Sequence, residues 1–281
     1  MKNYSPLRYP GGKIKLAPAI RDILQKNFPE CSTYIEPFAG GAAVALSLLI
    51  EGVVERIIIN DFDVAIYSFW DNVLNHTEDF VKEIAKIEVT IPQWRKQQHI
   101  YLHSTEDPSF ELGLAAFFLN RTNYSGILTG GPIGEYEQKG NWTLECRFHK
   151  EALIQKILKI AEYRSQITIV KKDIFDFIEE DLPKRKTNKT FVYFDPPYYV
   201  KGYRLYKNFF THEDHVNLKK QIRERVRCPW IVTYDNTKPI LDIYRRERAQ
   251  DIEVYYSAGT NTLGKEILFY SPMIDLSNVI I

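Results

Sequence analysis

The amino-acid sequence predicts an α/β protein, a mostly parallel sheet interrupted by a helical insert. Three observations carry the prediction. Apolar runs at 33–36 and 56–60 flank a helical pattern at 41–49, and strand, helix, strand in that order makes a parallel crossover unit. Residues 62 to about 166 then read as helices almost throughout. Strands resume at 166–170, 190–194, 230–233, 251–255 and 266–270, on the far side of that block. The expected division is a sheet domain made of 1–61 and 166–281, with 62–165 inserted into it.

Residues 13–28 open the pattern with Ile14, Leu16, Ile20, Ile23 and Leu24 at helical spacing, and Pro18 sits near the start, where a missing N–H is tolerated. Thr33-Tyr34-Ile35-Glu36-Pro37-Phe38-Ala39-Gly40-Gly41-Ala42 is a strand running into a small-residue turn. Glycine permits a tight turn and close approach to a ligand, and the helix N-terminus beyond can receive a carboxylate. The spacing is not Gly-x-Gly-x-x-Gly, so phosphate binding is not the natural inference. Arg56-Ile57-Ile58-Ile59-Asn60-Asp61 is a second buried strand. It ends in an acid about twenty residues after the turn, where a carboxylate can hold ribose hydroxyls. Capping the next helix is the competing role for Asp61.

The insert carries helical patterns at 63–74, 77–87, 92–102, 109–123 and 149–163. Between the last two, 126–134 is glycine-rich and too irregular for a helix, and a long loop in a compact protein is often functional. Tyr124, Tyr136 and Trp142 stand there among Arg121, Lys139 and Arg147. Aromatic rings among basic residues suit base stacking and phosphate contacts.

The most informative segment follows. Thr190-Phe-Val-Tyr-Phe194 reads as a buried strand ending on Asp195, and Pro196 and Pro197 forbid its continuation. A carboxylate, a carbonyl without a ladder partner and the rings of Tyr198 and Tyr199 are thereby expected together at a strand's C-terminal edge, where open α/β sheets bind ligands. That set suits a flat ring carrying an exocyclic amine.

Composition narrows the class. A chain of 281 residues, 44% hydrophobic, can bury a substantial core unaided. No run approaches the apolar length of a membrane span, and the N-terminus has no signal-like apolar stretch. Cys31, Cys146 and Cys228 form no zinc spacing and, being odd in number, suit reduced thiols in a cytosol. Among six histidines, only His212 and His215 come near a ligand pair, and no metal is expected. The net charge of +1 is low for a polyanion binder, so a local positive stripe is expected instead. Candidate stripes are 184–189, the helix bearing Lys219, Lys220, Arg223, Arg225 and Arg227, and Arg245-Arg246-Glu247-Arg248.

Taken in chain order, these segments resemble the adenine-N6 DNA methyltransferases of the Dam-like, or D12, class over nearly all of the chain. Leu7-Arg8-Tyr9-Pro10-Gly11-Gly12-Lys13 looks like that class's opening Gly-Gly-Lys element. Glu36-Pro37-Phe38-Ala39-Gly40 looks like its S-adenosylmethionine loop, and Asn60-Asp61 like its ribose-binding acid. Phe118-Leu119-Asn120-Arg121-Thr122-Asn123-Tyr124-Ser125-Gly126 is similar to its Leu-Asn-Arg element. Val170-Lys171-Lys172-Asp173 resembles the segment whose acid meets the cofactor's adenine, and Asp195-Pro196-Pro197-Tyr198 the catalytic motif. One departure is visible: the class usually carries Gly where this chain has Ala42, and the methyl group narrows the room beside the cofactor.

The resemblance implies a Rossmann-like S-adenosylmethionine-dependent methyltransferase sheet, with 62–165 as an inserted, mostly helical target-recognition domain. It implies catalysis by Asp195, Pro196, Pro197 and Tyr198, and cofactor binding by Tyr9, Lys13, Glu36, Pro37, Phe38, Gly40, Asp61, Asp173 and Asp195. DNA contacts fall to Arg121, Asn123, Tyr124, Ser125, Lys139 and Arg147. The implied enzyme is a monomer of the prokaryotic cytosol acting on double-stranded DNA. It is either the modification partner of a restriction endonuclease, without a stable complex, or a solitary or phage methylase. Neither a metal nor a membrane is involved.

The chemistry agrees with the residues. The amine of adenine shares its lone pair with the ring, and the Asp195 carboxylate and Pro196 carbonyl, each accepting one N–H, favour its release. The base must leave the duplex at a cost of roughly a few kcal/mol, of which stacking on Tyr198 returns about 1–3 kcal/mol. RNA adenine, cytosine N4 and protein glutamine are alternative acceptors, but the aspartate favours adenine. A DNA-binding relic is the non-enzymatic alternative, and dead copies tend to lose the acid or the aromatic, both kept here. GATC, the usual site of the best-known members, is disfavoured because Thr129 stands where they carry a guanine-reading arginine, and Ser125 where they carry Asn.

Overall fold

A computed structural model describes residues 1–8, 13–182, 188–200, 210–256, 262–277 and 279. Tyr9, the Gly11-Gly12 pair and the basic run at 184–186 lie outside them. The chain forms two compact units, one of Met1–Asn3, Lys13–Phe62 and Gln166–Ile281, the other of the N-terminal residues from Tyr4 with Asp63–Ser165.

The first unit is built on a seven-stranded sheet. Its strands are β1 (Thr33–Glu36), β2 (Arg56–Asn60), β3 (Ile167–Val170), β4 (Thr190–Phe194), β5 (Trp230–Asp235), β6 (Arg248–Tyr256) and β7 (Thr262–Tyr270). They lie in the order β3-β2-β1-β4-β5-β7-β6, parallel from β3 to β5, with β7 antiparallel to both of its neighbours. β6 and β7 close the sheet as an antiparallel pair, and both run further than the apolar pattern suggested. The strand order reverses between β1 and β4, the kind of switch point where α/β sheets open a crevice for ligands.

Helices α1 (Ala17–Asn27) and α2 (Ala43–Ile50) belong to this unit, with Ile20, Ile23, Leu24 and Leu48 buried. Ile35, Val192, Phe194 and Val232 of the sheet form one core with Phe177, Leu218, Ile222 and Tyr244. The helical members of that core come from α8 (Ile174–Glu180), α9 (His212–Arg225) and α10 (Lys238–Tyr244). Helices α8 and α10 escape sequence periodicity because each has only seven residues, two turns of pattern.

The second unit is helical: α3 (Val64–Asn75), α4 (Thr77–Lys86), α5 (Ile91–Leu102), α6 (Phe110–Thr122) and α7 (Lys150–Ala161). Asp63, Thr90 and Ser109 start α3, α5 and α6 by accepting backbone N–H bonds in their first turns. Phe69, Phe80, Phe117, Phe118 and Phe148 interlock at its centre. Gly113 permits α6 to meet α3, since a Cβ there would lie 2.5 Å from the Ser68 carbonyl oxygen. Residues 4–8 join the helices because Asn120 accepts from the Arg8 N–H (2.7 Å) and donates to the Arg8 carbonyl (2.7 Å).

Candidate active site

Every residue of β4 is buried, and the prolines leave Asp195 at its rim with the side chain 25% exposed. Thr233 on β5 donates to Asp195 Oδ1 at 2.9 Å, and its own hydroxyl meets that of Tyr193 at 2.8 Å. Lys13 Nζ lies 3.1 Å from Oδ1 and 3.2 Å from Oδ2. Burial raises the Asp195 pKa above the usual aspartate range, Lys13 opposes the rise, and the Glu266 carboxylate adds to it.

Tyr198 is buried, and its ring lies under the Lys13 ammonium, 4.8 Å from Nζ to the centroid. Its hydroxyl accepts from Lys13 Nζ at 2.5 Å and donates to Glu266 Oε1. The sequence offered Tyr198 as a stacking surface, whereas the structure makes its hydroxyl a link between two charged groups. Asp235 fixes the chain beyond the prolines by accepting from the N–H groups of Tyr199 (3.1 Å) and Val200 (3.3 Å). Pro196 is buried and Pro197 half-buried. Sequence reasoning missed Thr233, Asp235 and Glu266, although a charged residue beginning the apolar run at 266–270 was a readable signal.

Further along the same edge, the turn after β1 adopts left-handed backbone at Gly40 (φ 45°) and Ala42 (φ 47°). Glycine suits both positions, and alanine at the second costs about 1 kcal/mol, so the Ala42 departure acts through the backbone as well as through its methyl group. Helix α2 starts at Ala43 rather than 41 for the same reason. Glu36 is buried, and its Oε1 accepts from the Ala45 N–H at 2.9 Å in the first turn of α2. Burial pushes its pKa up to about 8, so a proton stays on it at neutral pH. Through Oε1, Glu36 braces the turn.

Asp61 Oδ2 accepts from the Gly40 N–H at 2.8 Å, while Asp63 caps α3, so the capping role considered for Asp61 belongs to its neighbour. Asn60 ties the edge together, donating to the carbonyls of Pro37 (3.0 Å) and Lys172 (3.1 Å). Asp173 Oδ1 caps α8 by accepting from the Phe175 N–H at 2.8 Å. Half-buried Phe38 and Phe175 both touch Phe210 edgewise or in a stack. Carboxylates at the ends of β2, β3 and β4 with aromatic rings among them fit a cationic ligand bearing ribose hydroxyls and a purine. No group of three or more metal-ligating side chains occurs among the described residues.

In the helical unit, Asn123 is fully buried. Its Oδ1 accepts from Trp94 Nε1 at 2.6 Å, and its Nδ2 donates to the carbonyls of Ile127 (2.8 Å) and Leu128 (3.0 Å). Arg121 is spent similarly, donating through Nε to the Arg147 carbonyl at 2.7 Å. Both residues hold the loop in shape through these bonds. Asn120 Nδ2 also donates to the Gly126 carbonyl at 2.9 Å. At Gly126 (φ 76°) a Cβ would sit 2.3 Å from the Arg8 carbonyl oxygen. Exposed on the loop are the rings of Tyr124, Tyr136 and Trp142, with Arg147 over Trp142 and Arg95 over Tyr136, and the carboxylates of Glu135, Glu137 and Glu145. Lys139 is exposed and pairs with Glu137 at 2.9 Å, and Ser125 holds a positive φ of 55°.

Part of the basic row on α9 is engaged in ion pairs. Lys219 and Arg223 pair with Glu247, and Arg225 with Glu179. Arg248 donates to the carbonyls of Pro272 and Ile274. No helix among the described residues is long and apolar enough to cross a membrane.

The family model of the D12 class N6 adenine-specific DNA methyltransferases matches residues 9–258. The chain is 24% identical over 235 residues to the type II methyltransferase M.MjaIII of Methanocaldococcus jannaschii, covering 78% of each protein. It is 24% identical over 265 residues to the retron Ec67 DNA adenine methylase of Escherichia coli, covering 91% of this chain and 85% of that one. A type II methyltransferase, M.CviBI, of Paramecium bursaria Chlorella virus NC1A is 24% identical over 220 residues, 75% of each chain. The chain belongs to the D12 class of adenine-specific DNA methyltransferases.

Proposed function

We propose that this enzyme transfers the methyl group of S-adenosyl-L-methionine to N6 of an adenine turned out of duplex DNA. The observation that carries the reading is the Asp195 carboxylate, steadied by Thr233 and Lys13 at the C-terminal rim of β4. Asp195 accepts one N–H of the amine and the Pro196 carbonyl the other, so the lone pair points along the line of transfer. The cofactor supplies an activated methyl on a sulfonium. Asp61 would hold the cofactor's ribose hydroxyls, Asp173 its adenine amine, and Phe38 would offer its ring to the purine. Asp195 must be ionised to accept, and burial raises its pKa, so activity is lost on the acid side at a higher pH than a solvated aspartate would give.

Residues 121–147 form the DNA-reading surface, with Tyr124, Trp142 and Arg147 outward and Asn120, Arg121 and Asn123 as its frame. The enzyme acts as a monomer on a short adenine-containing site, as a modification enzyme or a solitary methylase. Thr129 is exposed where relatives that read GATC place an arginine, so the site differs from GATC. Mapping methylated adenines in DNA from cells expressing only this enzyme tests the point, and GATC alone would contradict it. The decisive test of function offers labelled cofactor with mixed-sequence duplex DNA, RNA and protein. Label is expected at adenine N6 of DNA, and its absence there overturns the reading.

A further inference from the structure

We propose that Glu266 is a positioning residue for methyl transfer. It holds the Tyr198 hydroxyl and the Lys13 ammonium, so that Lys13 sets Asp195 without monopolising it. The inference rests on the reading of Asp195 as the acceptor of the substrate amine.

Glu266 lies on β7 opposite Asp235 of β5, and its side chain is 0% exposed. A carboxylate buried in a sheet is costly unless it is paired and hydrogen-bonded, so its partners indicate its use. Its Oε1 accepts from the Tyr198 hydroxyl and stands 3.7 Å from Lys13 Nζ. Lys13 in turn donates to Tyr198 and to Asp195. One ammonium thus spans two carboxylates, with a tyrosine hydroxyl as the third corner.

This arrangement resolves a conflict at the rim. The amine needs an oxygen of Asp195, yet Lys13 lies within 3.2 Å of both. Glu266 and Tyr198 offer the ammonium a second seat, so it yields an Asp195 oxygen as the amine arrives. Without Glu266, the ammonium turns wholly to Asp195 and competes with the substrate. Glu266 touches neither substrate nor cofactor in this scheme and acts through its neighbours.

The charge around Asp195 makes the role measurable. Among the described residues, Lys13, Glu266, Glu36, Tyr34, Tyr193 and Tyr234 interact electrostatically with Asp195, and Tyr198 reaches it through Lys13. Burial pushes Tyr34, Tyr193 and Tyr234 above their ordinary range and Glu36 up to about 8, so all four are neutral where Asp195 ionises. Of the charged groups described, Lys13 lowers the Asp195 pKa and Glu266 raises it. Removing that negative charge therefore lets Asp195 ionise at lower pH and extends activity on the acid side.

The test compares Glu266→Gln and Glu266→Asp with the wild type, reading kcat, KM for DNA and for S-adenosylmethionine, the kcat–pH profile and Tm. Glu266→Gln is expected to lower kcat about tenfold or more, to leave the cofactor KM within about twofold, and to move the acid limb to lower pH. Glu266→Asp should return the limb to its wild-type place. An unmoved limb, or a wild-type kcat, overturns the proposal. Should Glu266→Gln lose more than about 10 °C in Tm, Tyr198→Phe carries the test, since it breaks the link and keeps every charge. It should lower kcat with the limb unmoved, and full activity overturns the proposal. Asp195→Ala separates the two levels. Activity in that variant sinks the functional reading itself, whereas a dead Asp195→Ala beside wild-type-like Glu266 variants sinks only this inference.

Discussion

The rim of the sheet and the loop at 123–147 use polar side chains in opposite ways. At the rim, charged groups bind one another: Asp195, Lys13, Tyr198 and Glu266 form one hydrogen-bonded chain with most of its members buried. At the loop, Asn120, Asn123 and Arg121 bind backbone carbonyls, and the groups facing solvent are rings, Arg147, Lys139 and three glutamates. A reaction centre requires charges whose positions are fixed to fractions of an ångström. A reading surface, the role proposed for the loop, requires a backbone held in one shape, with exposed rings whose contacts tolerate the geometry of a flexible polymer. Substitutions at the rim should therefore change chemistry at constant fold, and those in the loop should change either fold or affinity according to which layer they strike.

The largest effect belongs to the rim. Asp195→Ala is expected to lower kcat by about 10³-fold or more, while cofactor binding is weakened rather than lost because Asp61 and the Gly40 turn are untouched. Single-turnover rates and calorimetry check the two halves. Near-normal turnover would remove the contrast at its stronger end.

Next comes the frame of the loop. Asn120→Leu removes the partners of the Arg8 N–H, the Arg8 carbonyl and the Gly126 carbonyl. It is expected to destabilise the helical unit by about 3 kcal/mol, at about 1 kcal/mol or more for each stranded group. Gly126→Ala should be comparable, because its Cβ meets the Arg8 carbonyl oxygen. Denaturant unfolding measures both. If either variant is stable and loses only DNA affinity, Asn120 belongs to the reading surface and the division into frame and face fails.

The same contrast explains what was legible in the sequence. The strands of the sheet and the stop at Asp195-Pro-Pro-Tyr198 could be read because buried strands and proline stops leave strong local patterns. Glu266 could not be placed, since β7 follows β4 by some seventy residues and only the antiparallel register with β5 brings it to Tyr198. In the loop, composition singled out rings that prove to be exposed, but gave no sign that Arg121 and Asn123 bind carbonyls of the chain itself. Nothing local distinguishes an amide that binds a carbonyl from one that binds a base. Helices α8 and α10 were lost to brevity.

Smaller effects should come from the face of the loop. Tyr124→Ala and Trp142→Ala remove exposed rings, so Tm should stay within about 2 °C of wild type. DNA binding should weaken by about 1–3 kcal/mol for a ring that stacks on a base. Equilibrium titration at fixed salt is the measurement. Wild-type affinity in both variants would move the reading surface away from these residues.

Lys139 should matter least. Its ammonium stands 2.9 Å from the Glu137 carboxylate, and both side chains are largely in water. The pair brings almost no net charge to a phosphate, and an exposed ion pair contributes about 0–1 kcal/mol to stability. Lys139→Ala should therefore leave Tm unchanged and lower the slope of log K against log salt by less than about one unit. Glu137→Ala should do the reverse and tighten DNA binding slightly, because it releases the lysine for phosphate contact. Equal weakening in both variants would mean that the pair orders the loop instead of merely decorating it, and would move Lys139 from the face into the frame.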